Sequence, residues 1–332
     1  MNITLLGAGA WGTALAISLC RHHTVRLWGR DAEQMRELSR LRENRRYLSG
    51  ISLPPAITLA ADLRTALDGT TLILAVVPSN ALRETVRLVA TTAPGLPFLW
   101  ACKGFEKSSG KLPHQIVTIE LGDTVPCGVL SGPSFAQEVA DGKPAALTLA
   151  SSDSTFAHDL ARKLNSNRLR VYSSNDVAGV ELGGAIKNVI AIAAGISDGL
   201  GLGNNARAAL ITRGLAETTR LGLRMGGQLE TFMGLTGLGD LVLTTTGDLS
   251  RNRRVGLALA RGENIVSILE QLGHVAEGVS TAPEVARIAA ALGVEMPITE
   301  AVCAVIDGQL SAADSVEALM RRDPKAESRL AR

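Results

Sequence analysis

At 332 residues the chain is long for one domain and comfortable for two, and a hydrophobic share of 46% is enough to fill two cores. With 34 basic against 32 acidic side chains the net charge is only +2, so no global field points to nucleic acid or an acidic membrane surface, and any anion must be held by local groups. Cys20, Cys102, Cys127 and Cys303 are scattered with no C-x-x-C pair, which argues against a disulfide framework or a zinc site and suits a reducing cytoplasm.

The N-terminus reads as a first strand rather than a signal peptide, because it has no basic leader and no small-residue cleavage site. From there short apolar, β-branched runs alternate with longer helical patterns, the signature of βαβ units on a parallel sheet. Strands are predicted at Ile3–Leu6, Val25–Trp28, Ile57–Leu59, Thr71–Val77, Pro97–Ala101, Val125–Leu130, Ala146–Leu149 and Leu169–Tyr172. From Asp176 the pattern turns helical, with segments at 177–195, 205–224, 251–261, 264–272, 280–292 and 297–308. The expected fold class is therefore α/β: a Rossmann-like, mostly parallel sheet domain over 1–176, then an all-helical domain over 177–332. Segment 195–205 reads as a hinge or lid, or as a plain interhelical loop. Arg321–Arg329 reads as a charged, frayed tail, and no apolar run is judged long enough to span a bilayer.

Directly after the first strand comes Gly7-Ala8-Gly9-Ala10-Trp11-Gly12, a G-x-G-x-x-G that opens a helix over Thr13–Cys20. The first glycine permits the tight turn, the second lets the backbone approach a pyrophosphate, and the third lets helix and strand pack closely. The helix N-terminus then offers free N–H donors and a favourable dipole. The second strand ends Gly29-Arg30-Asp31, where an NAD-only site would place an acid alone. Arg30 suits the 2′-phosphate of NADP or simply faces solvent, while Asp31 leaves NAD open, so NADP(H) or NAD(H) is the expected cofactor.

Lys103 ends an apolar strand, where it either neutralises a substrate anion or is a surface lysine. Gly132-Pro133-Ser134-Phe135-Ala136 either presents N–H groups to a ligand or is an ordinary turn and cap. The helix beginning at Val177 is apolar nearly all round yet carries Glu181, Lys187 and Asn188. A buried lysine needs a partner or a task, and burial lowers its pKa toward the range of proton transfer; the alternative is that Lys187 snorkels to solvent from a helix end. Gly237-Leu238-Gly239-Asp240 puts a carboxylate on a glycine-supported turn. Ser250-Arg251-Asn252-Arg253-Arg254 opens a helix with groups suited to phosphate, although Arg253 and Arg254 read better as a solvated basic turn.

Together Gly7–Ala16, Lys103-Gly104, Ser131–Ala136, Gly183–Ile192, Asn204–Arg207, Leu235–Leu241, Ser250–Arg254 and Val275–Gly278 resemble NAD(P)-dependent glycerol-3-phosphate dehydrogenases over nearly the whole chain. The resemblance implies reversible reduction of dihydroxyacetone phosphate to sn-glycerol 3-phosphate for phospholipid synthesis, with no metal. It implies Lys187 as the catalytic proton donor and acceptor, with Lys103, Gly132, Ser134, Asp240, Ser250, Arg251 and Asn252 on the substrate. It implies Gly7, Gly9, Ala10, Trp11, Gly12, Arg30, Lys103, Ala136, Arg251, Val275 and Glu277 on the dinucleotide. Ala10 departs from the family's usual serine, so a hydroxyl contact there is not expected. The expected partner is a small-molecule substrate, with no nucleic acid and no membrane span, and a homodimer is admitted. From the residues alone two alternatives stand: a dehydrogenase of the same plan acting on a sugar acid or keto acid, and a non-catalytic NADP-binding sensor, against which Lys187 and Asp240 argue.

Overall fold

The computed structural model describes residues 1–107, 109–272 and 275–323, so the tail beyond Asp323 lies outside the described residues. Two compact units emerge, one of Met1–Cys102 with Leu112–Val177 and one of Lys103–Lys111 with Ala178–Arg332.

In the first unit the strands are β1 (Asn2–Leu6), β2 (Thr24–Trp28), a hairpin of β3 (Glu43–Asn44) and β4 (Leu48–Ser52), β5 (Ile57–Ala60), β6 (Leu72–Ala75), β7 (Phe98–Trp100), β8 (Cys127–Ser131), β9 (Ala145–Ala150) and β10 (Leu169–Ser174). The helices between them are α1 (Ala10–Leu19), α2 (Ala32–Leu41), α3 (Leu63–Leu67), α4 (Leu82–Thr92), α5 (Pro113–Leu121), α6 (Ala136–Ala140) and α7 (Ser154–Leu164). Apart from the β3–β4 hairpin, the strands form one eight-stranded sheet in the order β10-β9-β8-β7-β6-β1-β2-β5. Every pairing is parallel except β8 with β9. Central β6 reads Leu-Ile-Leu-Ala and is buried throughout, as a strand covered on both faces must be. The chain runs outward from β1 through β2 to β5, then returns to β6 on the other side of β1. Strand order therefore reverses between β1 and β6, and their carboxyl ends open the crevice where α/β sheets bind ligands.

The second unit is built around α8 (Val177–Gly199), buried at every position from Gly179 to Ser197. By length and composition α8 could cross a membrane, which corrects the expectation that no apolar run is long enough. Its most apolar stretch is 89% buried within the fold, so its composition has a packing cause. Around it lie α9 (Gly203–Arg224), α10 (Leu229–Met233), a π-helical turn at Leu235–Gly239, α11 (Asp240–Thr246), α12 (Arg251–Ala260), α13 (Ile265–Leu272), α14 (Glu277–Leu292), α15 (Pro297–Ile306) and α16 (Ala312–Met320). Two glycines set the distance between α8 and α12. A Cβ on Gly195 would lie 2.0 Å from the Arg253 carbonyl oxygen, and one on Gly256 2.0 Å from that of Ile192. Glycine in a helix interior costs about 1 kcal/mol relative to alanine, which the backbone contact offsets. Residues 195–205 are the end of α8, a short turn and the start of α9, a plain helix-to-helix connection.

Glu217 of α9 is buried, and its carboxylate accepts from the Ile298 and Thr299 N–H groups (2.8 and 3.4 Å), capping α15 from outside. Burial pushes its pKa up to about 7 against the lowering effect of those two N–H donors. A raised folded pKa means stability that is full below the unfolded value near 4.5 and lost as pH rises through 7. Glu217→Gln should flatten this part of the pH–stability curve, removing on the order of 3 kcal/mol of slope between pH 4.5 and 7. Denaturant unfolding of both proteins across that range checks it, and parallel curves would refute the assignment.

Candidate active site

In the first unit the glycine loop follows β1 directly. Gly7 adopts φ +121°, its N–H donates to the Trp28 carbonyl (2.8 Å), and a Cβ there would lie 2.3 Å from the Val76 oxygen. A Cβ on Gly12 would lie 1.9 Å from the Gly7 oxygen, so this glycine lets α1 close onto the turn. Gly9 differs: its backbone is extended (φ −79°), and nothing lies within 4 Å of where a Cβ would be. No internal contact requires glycine there, and the open space suits a pyrophosphate. Ala10 and Trp11 form the first turn of α1, which has no side-chain cap and no acid, leaving its N–H groups for an anion. The Ala8 carbonyl is held by Gln34 (2.8 Å) and by buried Asn44 (3.0 Å), which also donates to Thr13 Oγ1 (2.7 Å). Sequence reasoning missed both amides. Asn44 lies in the unpredicted hairpin and Gln34 in a helix that carried no motif.

At the end of β2, Asp31 is committed locally, as its side chain caps α2 by accepting from Glu33 and Gln34 N–H (3.0 and 3.1 Å). Arg30 is exposed and pairs with Glu84 at 3.3 Å, a contact of at most ~1 kcal/mol that an incoming anion can replace. At the end of β8, Gly132 takes φ +137°, and its carbonyl accepts from Ser134 Oγ (3.0 Å). Ala136 opens α6, which packs against α1.

The second unit brings Lys103, Lys187 and Asp240 together. Asp240, 1% exposed, accepts from Lys103 Nζ on one oxygen (2.7 Å) and from Lys187 Nζ on the other. Lys187 also donates to Thr244 Oγ1 (2.9 Å) and is buried, so the alternative in which it snorkels to solvent is excluded. Burial lowers its pKa to about 7; Asp240 opposes the shift and Lys103 reinforces it. Two ammonium groups thus share one carboxylate, which leaves a net positive charge in an enclosed site. Asp240 begins α11 after a π-helical turn, and a Cβ on Gly183 of α8 would lie 2.5 Å from the Thr236 oxygen in that turn. Thr244 was missed by sequence reasoning. It stands four residues after Asp240 on the same helix face, so a helical reading of 240–246 would have found it.

Ser250 caps α12, its Oγ accepting from Arg253 N–H (3.2 Å), and the hydroxyl proton remains to donate. Arg251 is exposed, with no ion pair among the described residues, while Asn252 is buried. Asn252 donates to Asn188 Oδ1 (2.9 Å) and accepts from Gly278 N–H (3.0 Å), linking α8, α12 and α14. Val275 is exposed just before α14, and Glu277 is its first residue. Arg253 corrects the expectation of a solvated basic turn: it is an ion-pair partner of Asp198, whose side chain is only 6% exposed. Arg254 is exposed, as expected. Among the described residues no three His, Cys, Asp or Glu side chains cluster as metal ligands.

The models of the NAD-dependent glycerol-3-phosphate dehydrogenase N-terminus and C-terminus match residues 2–157 and 176–317. The chain belongs to this family. It is 58% identical to a glycerol-3-phosphate dehydrogenase [NAD(P)+] of Nitrosospira multiformis, the alignment covering 98% of this chain and 99% of the relative. The enzyme of that name from Dechloromonas aromatica is 57% identical over 98% and 99%. The crystal structure of glycerol-3-phosphate dehydrogenase from Coxiella burnetii superposes with a TM-score of 0.92 at 44% identity, covering 97% and 99%. A ketopantoate reductase from Ralstonia eutropha, at 17% identity and a TM-score of 0.58, shares the fold alone.

For this family member the glycine loop gives a paired prediction. Gly9→Ala should fold with a Tm near that of the parent, because the methyl enters open space, yet bind dinucleotide at least ~10-fold more weakly. Gly12→Ala should lose about 1–3 kcal/mol of stability by overpacking. Thermal unfolding and cofactor titration separate the two. Unchanged affinity in Gly9→Ala would mean that the opening does not face the pyrophosphate.

Proposed function

We propose that the chain catalyses the reversible NAD(P)H-dependent reduction of dihydroxyacetone phosphate to sn-glycerol 3-phosphate, with Lys187 as proton donor. The observation that carries this reading is the buried lysine with a pKa near 7, sharing Asp240 with a second lysine. The glycine loop, the uncapped start of α1 and Arg30 hold the dinucleotide, with Ala136, Val275 and Glu277 as further contacts by resemblance. Bound reduced nicotinamide supplies a hydride to the ketone carbon.

Lys187 then gives its proton to the oxygen that becomes the alcohol and is left as a neutral amine. In the reverse direction the neutral amine takes that proton back. Lys103 donates toward the substrate oxygens and keeps the site positive after the transfer, which stabilises a developing alkoxide. Asp240 orients both ammonium groups. Arg251, the Ser250 hydroxyl, Asn252 and the first N–H groups of α12 bind the phosphate, and Gly132 and Ser134 contact the substrate by resemblance. Supply of glycerophospholipid synthesis, a cytoplasmic location and a homodimeric state belong to the same reading.

A group near pH 7 that must be protonated for reduction and neutral for oxidation fixes opposite pH dependences. kcat/KM for reduction should fall as pH rises through about 7, and that for oxidation should fall as pH drops through it. Lys187→Ala should lower kcat by at least ~10²-fold with cofactor affinity retained. A folded variant with near-normal kcat would remove Lys187 from the chemistry.

The phosphate clamp is tested by Arg251→Lys, which keeps the charge but loses the planar fork. kcat/KM for dihydroxyacetone phosphate should drop clearly, whereas dihydroxyacetone, which lacks the phosphate, should be a poor substrate that loses far less. Equal losses for both ketones at saturating cofactor would show that Arg251 is not the clamp.

A further inference from the structure

Before any phosphate binds, the start of α12 carries an excess of positive charge. Arg251, Arg253 and Arg254 crowd the positive end of the helix dipole, and the first turn contains no acid. The acid comes from α8. Asp198 lies in its last turn with a side chain only 6% exposed, and its two oxygens are divided between two guanidinium groups. Oδ1 accepts from Arg207 of α9, with Nε and Nη2 each at 2.7 Å, and Oδ2 accepts from Arg253 Nε at 2.8 Å. Arg253 is also bound to exposed Asp248 through Nη1 (2.9 Å).

Of the crowded arginines, Arg253 is thus drawn against the end of α8, one to three residues from Ser250, Arg251 and Asn252. The contact beside it, Gly195 against Gly256, brings the backbones of α8 and α12 together without side chains that interlock. Glycine surfaces of this kind set a distance but resist sliding and rotation poorly, since no ridge enters a groove. Side-chain pairs supply that register, Asn188 with Asn252 and Asp198 with Arg253.

We propose that Asp198 is a positioning residue for the substrate phosphate: by holding Arg253 it fixes the first turn of α12 and leaves Arg251 as the guanidinium that meets the ligand. The proposal rests on the assignment of Ser250, Arg251 and Asn252 to the phosphate. It gives segment 195–205 a task in binding, with no lid motion needed.

The test is Asp198→Asn, assayed with dihydroxyacetone phosphate and with dihydroxyacetone, alongside NADPH affinity and thermal unfolding. KM for the phosphorylated ketone should rise at least ~5-fold with kcat at saturation within about twofold, while kcat/KM for dihydroxyacetone stays at the parent value. Arg253→Lys, which keeps the charge but not the fork, approaches the pair from the other side and carries the test if Asp198→Asn does not fold. It should give the same split, and the double variant should be no worse than either single one. Unchanged KM in a folded variant, or equal losses with both ketones, overturns the proposal. Failure of the phosphate assignment itself is separate: Arg251→Lys would then already affect both ketones equally, and the proposal would fall with it. A selective loss in Arg251→Lys with none in Asp198→Asn would sink the positioning role alone.

Discussion

Keeping an ammonium group inside an apolar helix is the constraint around which the second unit is organised. An isolated charge at Lys187 would carry a desolvation penalty of several kcal/mol. Asp240 reduces that penalty from another element, and Lys103, which shares the same carboxylate, acts the other way by disfavouring a second charge beside it. The arrangement leaves the lysine neither fully neutral nor fully committed to its charge. That balance is what a reversible proton transfer demands.

Glycines set how closely each partner approaches α8. Gly183 admits the turn before Asp240, Gly195 admits α12, and on α14 a Cβ at Gly278 would lie 2.6 Å from the Asn188 oxygen. The groups assigned to proton transfer and to phosphate binding therefore stand on segments that touch one rod, backbone to backbone. Side chains packed between them would leave more freedom in their separation. In the first unit the same residue type serves two ends. Gly7 and Gly12 are demanded by the chain's own atoms, and Gly9 by nothing the chain contains.

The alternation of strands and helices was legible because strands buried on both faces, such as β6, read as unbroken apolar runs. The β3–β4 hairpin was not, since Glu43-Asn44 carries no such run. The direction of β9 was also hidden, because the α6 connection before it resembles any crossover. Glycines 237 and 239 read as a turn where the backbone is π-helical and runs on into α11, which concealed Thr244 one helical turn after Asp240. Lys187 stood out because charge is rare in an all-apolar helix. Arg253 did not, because a cation at a helix start is usually solvated and its acid lies 55 residues away.

Residues Lys103–Lys111 group with the helical unit although β7 precedes them and α5 follows. Glu106 accepts from Ser109 Oγ within this segment, and a Cβ on Gly110 would lie 2.1 Å from the Arg287 guanidinium on α14. The helical unit is thus discontinuous in the gene. A fragment starting at Ala178 would carry Lys187 and Asp240 but leave behind one of the two cations that neutralise the aspartate. Recombination that exchanged the nucleotide-binding half at residue 177 would import a foreign Lys103 segment with it, so the protein's natural joints for domain shuffling are not where its secondary structure changes.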